Sequence, residues 1–452
     1  MVKCINSLRA QRKMDKEIKV EVIRKEPVKP STPTPNHLRS YKFSLLDQFM
    51  PVYQTPVALF FSNSNPSTDD PHTIASQTSQ LLRKSLSQTL TKFPQLAGRI
   101  RENSSVECND EGADFIETRI NIPLSKILKK PDPETIKLLI PKSNATKYEV
   151  AIACMLAVQA NFFECGGIAI GVCLSHKLAD ASTISTFINS WAETTSESGN
   201  EFEISQLDAL SLFPPHDSLA SRPSPYEAVI EEPAVTRLVF YASRIAALKS
   251  KVGSAIVKNP TRVEAVIALI WKCAMEAKRS SSGRDHHCSS VMYEAVNIRK
   301  RLVPNLPEKS IGNLVWNYAV KIEPENEIEL QGLVSLHRKA IGEFTESCEE
   351  RLTWEATCRH TSEMNDFIKS GDIETYMSSS WCRFPFYEAN FGWGKPSWVC
   401  MGSVPIKNLV FLIDTKDGDG IEAWLSLSAE EMTFFERNQE LLASASLNPS
   451  AI

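Results

Sequence analysis

A change of composition near the middle of the chain constrains its fold most. From about Glu193 to Pro233, Ser, Glu and Pro dominate, and the pair Pro214-Pro215 lies inside this stretch. Proline fixes one backbone angle and removes a hydrogen-bond donor, so such a stretch interrupts regular structure. Apolar patterns typical of strands and of helices occur on both sides of it. The sequence therefore predicts two α/β domains of similar size joined by a long crossover.

Within this frame we divide the 452-residue chain into four parts. The first 13 residues carry charges but no apolar core of a secretory signal, which predicts a disordered extension or an upstream start. Regular patterning begins just after Met14, where Ile18 to Arg24 alternates as a strand. The predicted parts are the extension 1–13, an N-terminal domain 14–200, the crossover 201–235 and a C-terminal domain 236–452.

A histidine lies between a predicted strand and a predicted helix of the first domain. The apolar run Ile168 to Leu174 is typical of a strand, and Ser182 to Trp191 has the apolar spacing of a helix with one buried face. His176 and Asp180 lie between them. A His at the end of a strand can be held rigidly at the edge of a cleft, and rigid placement is what a general base requires.

Further strands and helices follow from periodicity and turn signals. Val150 to Phe163 and the run from Ile168 flank Gly166-Gly167, which indicates a hairpin. Thr261 and Glu264 form a T-x-x-E capping box before an apolar helix, Val263 to Met275. Strands are also expected at Ser290–Ile298, Leu314–Ile322, Leu409–Ile413 and Glu422–Leu427, and helix between Ile328 and Lys369.

Composition excludes several classes of function. The net charge is only −4, which does not favour binding to nucleic acid or to an anionic membrane. No apolar run approaches the about 20 residues of a membrane span. The 11 Cys are scattered without a C-x-x-C pair, which predicts free thiols in a reducing, cytoplasmic compartment. The histidines lack metal-ligand spacing, so no metal is expected.

Two motifs together resemble one protein family. The first is His176-x-x-x-Asp180, and the second is the run Asn390-Phe391-Gly392-Trp393-Gly394-Lys395-Pro396. In this order they are similar to the plant BAHD acyltransferases, which depend on CoA, and the resemblance extends over nearly the whole chain from Met14. Softer matches are Ser44-Leu45-Leu46-Asp47, Leu96-Ala97-Gly98-Arg99, Arg262-Val263-Glu264-Ala265 and Val296-Asn297-Ile298-Arg299.

This resemblance implies a fold and a reaction. The fold is α/β, with two chloramphenicol-acetyltransferase-like domains, mixed sheets, and a solvent channel between them that meets His176 from both ends. Acyl-CoA enters from one face as a co-substrate and the alcohol acceptor from the other. His176 is the implied general base of a ternary complex, and no covalent acyl-enzyme is needed.

Asp180 has two interpretations. It could relay charge to His176, or it could turn away and pair with a cation, since a carboxylate at a helix start is favourable in itself. The spacing and the resemblance both favour the second role, and the resemblance implies Arg299 as the partner. The residue that orients His176 is then not visible in the sequence.

The second motif also leaves alternatives. The indole N–H of Trp393 could face the developing oxyanion, while Gly392 and Gly394 permit close backbone approach. Alternatively the loop is remote from His176 and supports CoA binding. The chain departs from the family at Asn390, which replaces the usual Asp, and at Ala181, which replaces a Gly. The first departure leaves the loop without a carboxylate.

For the CoA phosphates the candidates are Thr261, at the head of a predicted helix with free backbone N–H groups, and Arg262. A plain helix cap with solvated charges is an equal alternative.

The leading function is transfer of an acetyl group from acetyl-CoA to a hydroxyl of an alkaloid or a similar bulky metabolite. Lys29 to Pro35 and Ser380 to Glu388 resemble the alkaloid O-acetyltransferase branch of the family. The alternatives are a hydroxycinnamoyl or malonyl transferase of phenolics, and a catalytically weakened member that binds CoA or another ligand. The protein is expected to work as a monomer.

Overall fold

The architecture is given by a computed structural model. It describes residues 18–63, 71–142, 154–197, 209–220, 232–283, 289–323, 329–370, 373–402 and 404–452. In these residues the chain forms two large mixed sheets, a small third sheet and helices packed against them. The expectation of a mixed α/β fold with two sheet-rich domains is confirmed.

The strands run in chain order through both halves. They are β1 Val20–Val28, β2 Ser40–Lys42, β3 Gln54–Phe61, β4 Arg99–Arg101, β5 Ser105–Glu107, β6 Ala113–Ile120, β7 Leu156–Phe163, β8 Ile168–Ser175, β9 Ala234–Phe240, β10 Ser290–Asn297, β11 Val315–Ile322, β12 Glu374–Ser380, β13 Trp398–Met401, β14 Leu409–Asp414, β15 Ile421–Leu427 and β16 Ser446–Leu447. The first sheet has the order β1-β6-β7-β8-β3-β13, the second β11-β10-β12-β14-β15-β9-β16, and the small one β2-β5-β4.

The helices of the described residues cover these sheets. They are Leu45–Phe49, Pro71–Lys92, Leu124–Lys129, Pro133–Lys137, Ala181–Ser196, Ala209–Leu212, Asp217–Ala220, Ala242–Val252, Arg262–Ser282, Leu330–Glu346, Cys348–Arg351, Trp354–Ser370, Ala429–Phe435 and Gln439–Ser444, with short 3₁₀ turns at Asn36–Leu38, Pro94–Ala97 and Phe386–Glu388. The helical stretch expected from Ile328 to Lys369 is thus three helices.

The hairpin that carries His176 forms the centre of the first sheet. Every residue of β7 and β8 is buried, as expected for strands covered on both faces. Gly166 has φ +76° in the turn, a conformation that glycine adopts at little cost. The pairing is antiparallel, as predicted. The predicted start of the first strand, 150–153, lies outside the described residues.

One strand crosses between the halves, and periodicity alone did not indicate it. β13 lies in the C-terminal half of the sequence but pairs with β3 in the first sheet, with Trp398 opposite Phe60. The first sheet therefore contains a strand from the second half of the sequence, so a single boundary near residue 236 does not separate the two sheets completely. The predicted crossover 201–235 is described at 209–220, where it forms two short helices, and at 232–235, where β9 begins earlier than predicted. The predicted extension 1–13 lies outside the described residues.

Across the described ranges, no helix combines the length and the apolar character that crossing a membrane requires.

Candidate active site

A cavity lies between the two large sheets, and His176 is part of its wall. It encloses about 1200 Å³ of empty space, including the part open to solvent. The first half of the chain contributes the turn before β3, β3 itself and the residues after β8. The second half contributes β10, β11, β12, β14 and the helix Trp354–Ser370.

The floor of the cavity is one face of the second sheet. Ala295 of β10 pairs with Asn317 of β11 on one side and with Ser379 of β12 on the other, and Ser379 pairs with Phe411 of β14. Directly paired residues point to the same face of a sheet. This row therefore has a small alanine at its centre, which leaves depth in the cavity.

Backbone and ring contacts fix His176 at the end of β8. Its N–H donates to the Tyr53 carbonyl oxygen at 2.9 Å. The Tyr53 ring stands edge-on to the imidazole, with 5.2 Å between ring centroids. His176 keeps partial exposure toward the cavity. The rigid placement expected of a His after a strand is therefore present.

Asn313, which no sequence motif indicated, orients the imidazole. Its Oδ1 lies 3.2 Å from His176 Nδ1, and its Nδ2 donates at 2.8 Å both to Asp47 Oδ1 and to the His176 carbonyl oxygen. A carbonyl and an ionised carboxylate only accept hydrogen bonds, so the amide nitrogen must face them. Oδ1 then faces Nδ1, which must carry the proton, and Nε2 is left as an acceptor for the cavity.

The environment of His176 favours the neutral ring. Burial lowers its pKa from the usual range, and the cation of Lys177 acts in the same direction. The hydrogen bond to Asn313 and the charge of Asp180 oppose this shift without reversing it. A ring that is neutral at physiological pH can accept a proton through Nε2.

Asp180 turns away from His176 and pairs with Arg299. Arg299 Nη1 donates to Oδ2 at 2.6 Å and Nη2 to Oδ1 at 3.1 Å. Asp180 also accepts the N–H of Thr183 as the N-cap of the helix Ala181–Ser196, and the N–H of Leu314 from the other half. All four acceptor positions serve structural contacts. The geometry thus agrees with the structural alternative and joins the two halves beside the site.

Trp393 lies far from His176, which corrects the prediction that its indole N–H could face the developing oxyanion as a catalytic group. Its ring packs against Phe61 with 6.1 Å between centroids, at the far end of β3 from Gln54, which pairs with Ser175 beside His176. β3 has eight residues and is therefore about 25 Å long. Trp393 does not line the cavity, so the alternative of a supporting loop is the one compatible with this geometry.

Asn390 takes over the contacts of a loop carboxylate. Its Oδ1 accepts the N–H groups of Gly392 and Gly394, each at 3.0 Å. These glycines have φ of +102° and +107°, so both positions need the freedom of glycine. The amide thus holds the loop without a charge.

The two CoA candidates are engaged within the protein. The Thr261 side chain and Glu264 form the predicted capping box of the helix Arg262–Ser282. Arg262 pairs with Asp414 at 3.0 Å and donates to the Gly418 carbonyl oxygen at 2.6 Å. Neither residue lines the cavity, so the alternative of a plain helix cap accounts for Thr261.

Comparison with known proteins identifies the family. A model described as the Transferase family matches residues 18–442. Akuammiline synthase 1 of Alstonia scholaris is 39% identical over 422 residues, which cover 93% of this chain and 96% of the relative. Limonoid 1-O-acetyltransferase of Citrus sinensis is 36% identical over 452 residues, covering 96% and 100%.

Solved structures agree with this assignment. The crystal structure of vinorine synthase superposes with a TM-score of 0.83 at 34% identity, over 96% of this chain and 100% of that one. TRI101 of F. sporotrichioides, solved with coenzyme A and T-2, has a TM-score of 0.72 at 18% identity and supports the fold alone, over 90% and 99%. The chain belongs to the BAHD acyltransferase family and is an acyl-CoA-dependent O-acyltransferase.

Proposed function

We propose that this enzyme transfers the acetyl group of acetyl-CoA to a hydroxyl of a bulky, largely apolar metabolite, with His176 as general base. The observation that carries the proposal is the fixed tautomer of His176, whose Nδ1 is bound by Asn313 while Nε2 is left for the cavity. Relatives that act on alkaloids and limonoids support an acceptor of this kind.

The reaction needs no covalent enzyme intermediate. Nε2 of His176 removes the proton of the acceptor hydroxyl as its oxygen attacks the thioester carbonyl carbon. The carbon–oxygen bond forms, and the carbonyl becomes a tetrahedral oxyanion. This intermediate collapses, the carbon–sulfur bond breaks, and the leaving thiolate takes the proton from the imidazolium. Ester and free CoA are the products.

The cavity walls suit a rigid polycyclic acceptor. Phe49, Met50, Pro51 and Trp316 give an apolar surface, and its burial against an apolar ligand contributes about 25 cal/mol per Å². Polar side chains line other parts of the cavity, among them Asn317, Ser378 and Ser380. A rigid scaffold loses little freedom on binding, so the position of its hydroxyl relative to His176 decides which group is acetylated.

Two alternatives lead to different substrate profiles. A hydroxycinnamoyl or malonyl transferase would prefer those donors and a phenolic acceptor. A weakened member would bind CoA without turnover. The second alternative is disfavoured because Asn390 still accepts both loop N–H groups that a carboxylate would accept.

The experiment is a steady-state comparison of acceptors and donors. Polycyclic alkaloid alcohols, limonoid alcohols, shikimate and an anthocyanin are each combined with acetyl-, malonyl- and coumaroyl-CoA, and released CoA thiol and ester are measured. The proposal expects the highest kcat/KM for a polycyclic alcohol with acetyl-CoA. The highest value for a phenolic or for another donor contradicts the substrate assignment.

We also infer that the enzyme works as a cytoplasmic monomer. The cysteines of the described residues are all free thiols, which suits a reducing compartment. Light scattering coupled to size exclusion tests the monomer, and a mass above that of one chain contradicts it.

A further inference from the structure

A buried polar network extends from His176 into the first half of the chain. The carboxylate of Asp47 is fully buried in the short helix Leu45–Phe49. Asn313 connects this carboxylate to His176, and Lys177 connects the backbone carbonyl oxygen of Asp47 to the side chain of Asn103. The mechanism above uses only the His176 end of this network, so the function of the buried carboxylate is open.

The hydrogen bonds around Asp47 require the ionised form. Its oxygens accept the N–H and the hydroxyl of Ser44, at 2.9 and 2.8 Å, and the backbone and side-chain N–H groups of Asn313, at 3.1 and 2.8 Å. Burial raises the pKa of Asp47, while these donors oppose the shift. Four donors fill the acceptor positions of a carboxylate and leave none for a carboxyl proton.

We propose that Asp47 sets the tautomer of His176 through Asn313, and that the ammonium of Lys177 is the counter-charge of this buried carboxylate. The inference rests on the proposed role of His176 as general base. Because the carboxylate only accepts, it holds Asn313 with Nδ2 toward itself and Oδ1 toward His176. Asp47, Asn313 and Lys177 are therefore positioning residues, and Nε2 is kept as the base.

Lys177 has the geometry of a buried cation. Its Nζ donates to the carbonyl oxygens of Asp47 and Gln48, each at 3.0 Å, and to Asn103 Oδ1 at 2.6 Å. Three acceptors match the three N–H donors of an ammonium. Burial lowers the pKa of Lys177 to about 7 and the charge of Asp47 opposes this, and the three-acceptor geometry favours the charged form at neutral pH. Its three acceptors are neutral, and we assign its counter-charge to the carboxylate of Asp47, whose charge raises the pKa of Lys177.

The charged groups that face His176 give the expected direction of a pH effect. Lys177 lowers the pKa of His176, and Asp180 raises it while remaining paired with Arg299. Removal of the ammonium therefore raises the pKa of His176 and moves the acid limb of the pH profile to higher pH. A residue with only a packing function would lower stability without moving this limb.

The direct test is nitrogen NMR of the full-length enzyme labelled with ¹⁵N-histidine, with His176→Gln to assign the signal. The inference expects neutral His176 to be protonated at Nδ1, whereas a proton at Nε2 would overturn it, and this result does not depend on the folding of the Asp47 or Lys177 variants. Activity of His176→Ala is measured separately. If that folded variant retains more than about a tenth of wild-type turnover, the general-base role fails, while the tautomer result still decides the inference.

Variants then test the two positioning residues. Asp47→Asn should lower kcat by about tenfold or more, since a base held in the wrong tautomer loses most of its effect, with KM for acetyl-CoA nearly unchanged. The exchange Asp47→Asn with Asn313→Asp puts a carboxylate directly on Nδ1–H and should restore part of kcat. Equal loss in the single and exchanged variants contradicts the inference.

Lys177→Met should move the acid limb of kcat/KM to higher pH, and Lys177→Arg, which keeps a cation, should move it less. An unmoved acid limb in the folded Lys177→Met variant contradicts the counter-charge role.

Discussion

At the scale of single residues, variants of Asp180 test whether this residue contributes to stability or to the chemical step. Asp180→Ala removes the partner of Arg299, which is fully buried. Breaking a buried ion pair in this way costs about 3–5 kcal/mol. We expect a large drop in Tm, with turnover lost in proportion to folded protein. Asp180→Asn still offers an acceptor to the N–H of Thr183, so its Tm should drop less. An Asp180→Ala protein with unchanged Tm and no turnover would instead indicate a chemical role.

The pH profile of the wild-type enzyme reports on His176 itself. The general base must be neutral, and burial holds its pKa below the usual 6.5. As pH falls, kcat/KM should therefore stay constant until below about 6.5 and then decrease tenfold per pH unit. The sign follows because lowering the pKa extends the neutral form to lower pH. An acid limb with its midpoint above 6.5 would contradict this environment.

At this scale the sequence could predict those site residues that lie in a local motif. His176 and Asp180 share one short motif, and Arg299 lies in a second segment that resembles the family. Asn313 is 137 residues from His176, and a lone Asn in a loop carries no periodic signal. Only the folded chain brings it to the imidazole, together with the carboxylate of Asp47.

At the scale of elements, the loop after Asn390 tests whether an amide stabilises this loop as well as a carboxylate does. Asn390→Asp offers the same two N–H groups a charged acceptor, and charge-assisted bonds are stronger. Because Asn390 is exposed, we expect a gain in stability of at most about 1 kcal/mol and equal or higher turnover. The matched variant Asn390→Ala leaves both N–H groups without this acceptor and should be less stable. Chemical denaturation measures both, and a clear loss of stability in Asn390→Asp contradicts the expectation.

Most long strands and helices were predictable from the sequence, but the pairing of a short strand across the two halves was not. Strand-like runs indicate β8, β10 and β15, and a capping box indicates the helix Arg262–Ser282, because burial and local hydrogen bonds act within one segment. The pairing of β13 with β3 was not predictable, since β13 has four residues and its partner lies in the other half of the sequence. Its position also explains why Trp393 lies far from His176.

At the scale of the whole molecule, the C-terminal tail ties the two halves together. Ala451 donates its N–H to the Leu128 carbonyl oxygen at 2.7 Å, and Asn448 donates to the Pro131 carbonyl oxygen. Arg237 of β9 donates to the Pro449 carbonyl oxygen at 2.6 Å. Each such hydrogen bond contributes about 1 kcal/mol.

Deletion of residues 448–452 should therefore lower the free energy of unfolding by a few kcal/mol and raise KM for both substrates, because the cavity lies between the halves. Calorimetry and steady-state kinetics measure the two effects. Unchanged Tm and KM would show that the tail does not hold the halves in place.

The general-base role of His176 is the central claim, and the turnover of His176→Ala with saturating acetyl-CoA and a polycyclic alcohol tests it most directly. Tm and the Kd for CoA serve as controls for folding and binding. We predict that turnover falls by about 10²–10⁴ while Tm and Kd stay close to those of the wild type. A folded variant that keeps more than about a tenth of wild-type turnover would contradict the claim.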